Sequence, residues 1–280
     1  MWAWMNGEYV KVDEMRISPF DHGFLYGLGF FETFRSYSGH VFLLEEHLER
    51  LKKALDEFHF KIDLEIEDVA AIVRQLNERA NGEDGYFRLN VSAGVHEIGL
   101  QPEVYEKPTV IIFRKPLPLS VSGTEKKAVW LETRRNSPES NIRHKSHHFA
   151  NNVRARLELS SLAVHEGLFL THSGHVAEGI TSNVFWVCDH VLFTPSLETG
   201  ILAGTTRSWV IREARLLGLE VREGLFTPDL LSAASEVFVT NAVQEIVPIK
   251  SLEAITYVGN QGSIYKLLHK RYREQVERLR

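Results

Sequence analysis

Residues 141–183 read NIRHKSHHFANNVRARLELSSLAVHEGLFLTHSGHVAEGITSN, and the rest of the chain is best read outward from them. One lysine, Lys145, stands among Arg143, His144, His147 and His148, just before a helix-forming run. Further on a carboxylate, Glu178, follows the hairpin pattern LFLTHSGHVAEG and precedes an apolar strand. A lysine is ordinarily a solvated surface charge. Here the neighbouring cations and partial burial would favour a neutral, nucleophilic amine. The histidines alone suggest a metal, but they have neither H-E-x-x-H spacing nor cysteine partners.

Upstream, Asn6-Gly7 turns a hairpin between Ala3–Met5 and Tyr9–Val12. Gly23, Gly27 and Gly29 lead into a β-rich run, Phe30–Tyr37. Alternation there puts Phe31, Thr33 and Arg35 on one face, and Glu32 and Phe34 on the other. The GLG at 27–29 lacks the third glycine of a dinucleotide fingerprint and reads as a turn. A short strand is expected at His40–Leu43. Leu44, Leu48, Leu51, Leu55 and Phe58 then fall in one stripe at roughly 100° per residue, which predicts a helix over 44–58. On that wheel Arg50 sits at the border, about 80–120° from the stripe, and Lys53 faces away. A helix at Glu65–Ala80 and strands at Gly85–Gly94 and Thr109–Arg114 complete this half.

Residues 115–124, KPLPLSVSGT, combine two prolines with a serine–glycine run and read as a linker. It divides a smaller domain, 1–114, from a larger one, 125–280, that carries Lys145. The second domain is expected to hold strands at Ala128–Thr133, Asn183–Val187, Val191–Thr194, Glu220–Arg222 and Glu236–Thr240. Its helices are expected around Phe149–Ala163, at Thr206–Leu217 closed by Gly218, near Pro228–Ala233 and at the C-terminus. This is an α/β chain in two lobes, α+β at the N-terminal end and α/β at the C-terminal end.

Composition narrows the function. The chain has 280 residues, 44% hydrophobic and 25% charged, as in soluble globular proteins. A net charge of -5 without a basic block argues against a nucleic-acid partner. The start, MWAWMNGEYV, lacks signal-peptide regions, and no stretch reaches the roughly 20 apolar residues that span a bilayer. The single cysteine, Cys188, cannot make an internal disulfide and reads as a packed thiol in a reducing, cytoplasmic setting. No G-x-S-x-G occurs, so a nucleophilic serine is not indicated.

Two stretches suggest anion binding. In GILAGTTR a glycine and two threonines open a helix, where free amides and hydroxyls can cradle a phosphate or simply cap the helix. In EVFVTNAVQEIVPI a strand ends in Thr240-Asn241-Ala242 and a turn. An isolated lysine, a later carboxylate, a phosphate cradle and a border arginine together suit pyridoxal phosphate. That cofactor needs an amine at its aldehyde, an acid at its ring nitrogen and donors at its phosphate.

In order along the chain, SPFDHGFLYGLGFFETFR, RLNVSAG, RRNSPESNIRHKSHH, VAEGITSNVFW, TPSLETGILAGTTR and VTNAVQEIVPI resemble the class IV (fold-type IV) pyridoxal-phosphate enzymes. That family includes branched-chain and D-amino-acid aminotransferases and aminodeoxychorismate lyases. The resemblance implies a two-domain enzyme, usually a homodimer. It implies that Lys145 bonds the cofactor aldehyde and moves protons, while Glu178 meets the pyridine nitrogen. Arg50, Thr205 and Thr206 would bind the phosphate, with Asn183, Asn241 and Ala242 as further cofactor contacts. The Phe31, Thr33, Arg35 face would line the substrate site.

SPFDHGFLYG and the double histidine after Lys145 are most similar to the lyases. Those make 4-aminobenzoate and pyruvate from 4-amino-4-deoxychorismate in folate biosynthesis. That substrate has two carboxylates, for which Arg35, Arg88 and Arg143 are candidate partners, since a planar guanidinium suits a carboxylate. D-amino-acid transaminases carry an arginine and a histidine around the glycine where this chain has Ala93, Gly94 and Val95, and a tyrosine in place of Phe31. Those differences argue against D-alanine-type transamination. Branched-chain transamination stays open, as does cofactor binding without turnover.

Overall fold

A hairpin of Trp2–Met5 (β1) and Glu8–Lys11 (β2) opens the computed structural model, which describes residues 1–100, 104–117, 124–161 and 165–279. The chain separates into two compact units. One is Met1–Pro118 with His144–His148 and Val276–Arg280, and the other is Leu119–Arg143 with Phe149–Gln275.

In the first unit a one-turn helix, His22–Tyr26 (α1), is started by Asp21, whose carboxylate accepts from Gly23 N at 2.7 Å. There follow Gly29–Tyr37 (β3), His40–Val41 (β4), the helices Leu44–Glu57 (α2) and Ile66–Glu78 (α3), and the strands Gly85–Ser92 (β5) and Thr109–Pro116 (β6). The six strands form an antiparallel sheet in the order β2-β1-β6-β5-β3-β4. The predicted stripe of α2, with Val69, Val73 and Leu76 of α3, packs on Phe30, Phe34, Phe87 and Leu89. Phe34 and Phe87 stack at 6.1 Å, worth roughly 0.5–1.5 kcal/mol beyond their burial. With that face committed to the core, alternation turns Phe31, Thr33, Arg88 and Asn90 to the other.

The second unit is built on Lys126–Trp130 (β7), Ala150–Leu157 (α4), His165–Leu170 (β8), Val176–Gly179 (β9), Asn183–Cys188 (β10) and Val191–Pro195 (β11). Next come Thr205–Leu216 (α5), Val221–Gly224 (β12), Pro228–Ser232 (α6) and Glu236–Asn241 (β13). Glu245–Leu252 (β14), Ile255–Thr256 (β15) and Ser263–Glu277 (α7) complete it. The mixed sheet runs β12-β11-β10-β13-β14-β7-β8-β9, with β15 beside β14. Val184, Trp186, Val237, Val239 and Val247 fill its interior, and Trp186 stacks on Phe193 at 6.0 Å. Cys188 is partly buried and donates its thiol to the Leu230 carbonyl at 3.4 Å.

Several boundaries differ from the sequence expectations. The strand expected at His40–Leu43 stops at Val41, because Leu43 turns to φ 60° ahead of α2. The linker expected at 115–124 begins as strand, since β6 continues through Pro116 opposite Gly85; residues 118–123 lie outside the described ones. The helix expected at 149–163 ends at Leu157, with 162–163 outside the described residues. The largest difference concerns Lys145, which the sequence division put in the larger domain. His144–His148 instead returns to the first unit and lines up with β3. Phe30 bridges Ser146, Phe31 N donates to Lys145 O at 2.8 Å, and His147 N donates to Gly29 O at 2.9 Å.

Candidate active site

The Phe30–Ser146 bridge sets the geometry around the lysine. Phe30 belongs to the core, so the side chains either side of Ser146, those of Lys145 and His147, share the face of Phe31. Lys145 Nζ lies 4.7 Å from the centre of the Phe31 ring, and the Arg88 guanidinium carbon lies 3.5 Å from it. The His147 ring is 6.4 Å from Phe31. This approach requires Gly29: a Cβ there would overlap the His147 ring.

Behind this face lies a buried charge cluster. Glu32 is fully buried and accepts from Arg50 Nε at 2.8 Å, Arg50 Nη2 at 2.6 Å and His47 Nδ1 at 2.6 Å. Burial works against its ionisation, but Arg50 and His47 prevail and hold the carboxyl at about 2. Burial pushes His47 down, with Glu32 opposing. Arg50 does reach inward from the border of α2, at 15% side-chain exposure, while Lys53 is exposed. The side-on pairing engages Nε and Nη2 and so fixes the plane of the guanidinium.

Arg35 and Arg88 diverge along the sheet. The Arg35 guanidinium lies over Tyr37 at 4.5 Å, four residues or roughly 13 Å along β3 from Phe31. Arg88 and Thr33 are cross-strand partners, with Thr33 half-buried between Phe31 and Arg35. Burial lowers Arg88 from the usual guanidinium value, and no carboxylate among the described residues pairs with it. His144 pairs with Glu57 at 2.8 Å.

In the second unit the elements around Glu178 converge on its carboxylate. Oε1 accepts from Arg135 Nε at 2.8 Å, and Oε2 accepts from Leu202 N at 3.0 Å and Asn183 Nδ2 at 3.3 Å. Asn183 also donates to Leu202 O at 2.9 Å, so its side chain orients Glu178. A carboxylate has about four acceptor positions, so one on Oε1 stays available to an N–H donor. Thr205 and Thr206 form the first turn of α5, and both are buried. Thr206 Oγ1 and, on β13, Thr240 Oγ1 are buried without a partner. Asn241 Oδ1 accepts from Val243 N and Gln244 N, at 3.0 and 2.7 Å, and so shapes the turn that contains Ala242. Arg143 donates from Nε to Gly200 O at 2.5 Å and from Nη2 to Asn136 O. Burial, aided by Arg135, pushes it down to about 10. Its guanidinium thus braces backbone carbonyls of its own unit.

Glu32, Asn90 and Arg135 are among the residues in these arrangements that were not singled out from sequence. Glu32 could have been, since alternation puts it with Phe34 on the core face and a buried carboxylate requires partners. Asn90 and Arg135 gave no such signal. Among the described residues, no group of three or more His, Cys, Asp or Glu could hold a metal ion, and no helix is long and apolar enough to cross a membrane.

The aminodeoxychorismate lyase of Bacillus subtilis (strain 168) is 40% identical over 278 residues, covering 99% of this chain and 95% of the relative. The branched-chain aminotransferase of Thermoproteus uzoniensis, solved with norvaline, superposes with a TM-score of 0.88 at 29% identity, over 99% of this chain and 94% of that one. The T.th. branched-chain amino acid aminotransferase complexed with N-(5'-phosphopyridoxyl)-L-glutamate gives 0.85 at 26% identity, over 98% and 93%. The amino-transferase class IV family matches residues 29–252, and the chain belongs to that family, with its fold-type IV architecture.

Proposed function

We propose that this chain is a pyridoxal-phosphate-dependent lyase that converts 4-amino-4-deoxychorismate to 4-aminobenzoate and pyruvate. The observation that carries the reading is the shared ring of Phe31, with an amine and a guanidinium that lacks a carboxylate partner against it, at 4.7 and 3.5 Å. A substrate with an amino group and carboxylates requires those two groups close together. The 40% identity to the Bacillus subtilis lyase supports the same choice.

Class IV enzymes work with pyridoxal phosphate, and the residues present fit it. In the second unit, the orphaned Thr206 hydroxyl at the start of α5 is a donor awaiting an anion, and Glu178 retains acceptor capacity. In the first, Lys145 supplies the amine, and Arg50, held in plane by Glu32, supplies a cation for the phosphate. When bound, the cofactor withdraws electrons from the carbon that bears the substrate nitrogen. Lys145 Nζ then takes the proton from that carbon. Cleavage of the enolpyruvyl C–O bond aromatises the ring, and Lys145 returns the proton as pyruvate leaves. Arg88 holds a substrate carboxylate while Thr33 and Phe31 flank it. We place the enzyme in the cytoplasm as a homodimer, a reading supported by the lone Cys188 and by the family habit of pairing.

The solved branched-chain aminotransferases favour one alternative, transamination of branched-chain amino acids. Incubating the yellow protein with aminodeoxychorismate should yield 4-aminobenzoate, and Lys145→Ala should lose both the borohydride-bleachable colour and the turnover. Turnover only with branched-chain amino acids and 2-oxoglutarate would replace the lyase with the aminotransferase. Colour without turnover in either assay would leave a cofactor-binding protein.

A further inference from the structure

Arg88 is held in an unusual way for a half-buried cation. Its only hydrogen bond among the described residues runs from Nε to Asn90 Oδ1, at 3.3 Å. The same oxygen meets His147 Nε2 at 2.9 Å. Arginine is a donor only, so the Asn90 atom facing it must be the oxygen, and His147 must therefore donate from Nε2. His147 is thus placed in one tautomer by a cation it does not touch. Burial, with Arg88 adding to it, pushes His147 down to about 4, so the ring is neutral at physiological pH and adds no competing charge.

Three restraints then act on the guanidinium. Phe31 backs its central carbon at 3.5 Å, the Asn90 oxygen holds its Nε, and His147, wedged against Gly29, sets the Asn90 carboxamide. The Nη1 and Nη2 edge remains, with no carboxylate among the described residues against it, in the fork geometry that accepts a carboxylate through two parallel bonds. We propose that Asn90 and His147 are positioning residues that hold Arg88 as the receptor for a substrate carboxylate. This rests on the reading that Arg88 faces substrate, and it extends that reading to Asn90 and His147. It also gives a physical role to the first of the two adjacent histidines after Lys145, since His147 donates to Asn90 and leaves the charge to Arg88.

The test compares a carboxylate probe, 4-aminobenzoate, with its neutral isostere, 4-aminobenzamide. Both are titrated into the cofactor-loaded protein and read by the change in its visible absorbance. Wild type should bind the carboxylate more tightly. His147→Phe and Asn90→Leu should weaken the carboxylate about tenfold and leave the amide within about twofold, whereas His147→Gln, which keeps an N–H donor, should recover most of the loss. Asn90→Asp, which offers Arg88 an internal carboxylate, should abolish the preference, and in turnover should raise KM with little change in kcat. Equal weakening of both probes, or failure of His147→Gln to recover, would reduce the pair to a packing role and overturn the proposal. Absence of lyase turnover in wild type, with the preference and its dependence intact, would instead remove the lyase reading and leave the carboxylate receptor standing.

Discussion

Arg135 Nε lies 2.8 Å from Glu178 Oε1, and the two side chains are 6% and 5% exposed. Removing one member of such a pair strands a charge away from water. Arg135→Met should therefore destabilise the protein by about 3–5 kcal/mol. Arg135→Met combined with Glu178→Gln should recover part of that loss. Urea unfolding of these two variants and of Glu178→Gln alone checks this, and additive losses would show that the two side chains do not act as a pair.

The Thr206 hydroxyl separates stability from cofactor affinity. Its Oγ1 is buried without a partner, so Thr206→Val removes an unpaired polar group and should leave the melting temperature of the cofactor-free protein unchanged or raised. A hydroxyl bonded to a phosphate contributes roughly 1.5 kcal/mol or more, so the same variant should bind pyridoxal phosphate about tenfold more weakly. A fluorescence titration reads the second effect, and unchanged affinity would remove Thr206 from the phosphate cup.

Acid should weaken the protein through Glu32. Its carboxyl is lowered in the folded state from 4.5 to about 2, so the unfolded chain binds this proton first as pH falls. The stabilisation is complete above about 4.5 and is lost between there and about 2. His47, also lowered on folding, has the same sign, losing its share as pH falls through its unfolded value near 6.5. Stability measured across this range should therefore fall steeply in wild type. The fall should be shallower in Glu32→Gln, which starts from a lower plateau because Arg50 has lost its anion.

Gly29→Ala tests the docking of the lysine segment. The added methyl would overlap the His147 ring and should cost about 1–3 kcal/mol. Adding His147→Ala removes the ring overlap and leaves the approach to the Val91 carbonyl oxygen at 2.7 Å, so the double variant should be more stable than the sum of the two losses predicts, yet less stable than His147→Ala alone. Simple additivity, measured by urea unfolding, would mean that the segment yields without cost.

Periodic elements were legible in the sequence because their signals are local. Leu44, Leu48, Leu51 and Leu55 mark α2, Asn6-Gly7 marks the first hairpin, and Phe31, Thr33 and Arg35 do share a face. Elements held by distant partners were not legible. The one-turn α1 depends on Asp21, which also accepts from Ser92 and Thr109 far along the chain. The long strand β14 begins at Glu245, a buried residue with φ 65° whose carboxylate is paired by Arg273 from α7. Around the candidate site, sequence motifs pointed to Lys145, Glu178 and Thr206, but Arg135 and Asn90 emerge only when folding brings their partners to them.

The docking of Lys145–His147 along Gly29–Phe31 also constrains how the chain can be made. The partners are 114 residues apart, Phe31 to Lys145. At roughly 5–20 residues per second, the ribosome needs about 6–23 s to supply the second after the first. During that interval the Gly29–Phe31 end of β3 presents unpaired amides and carbonyls, a template for adventitious strand addition. A fragment that stops at the end of β6 would keep this edge open permanently. Nascent chains paused there are the ones expected to recruit chaperones, or to aggregate without them.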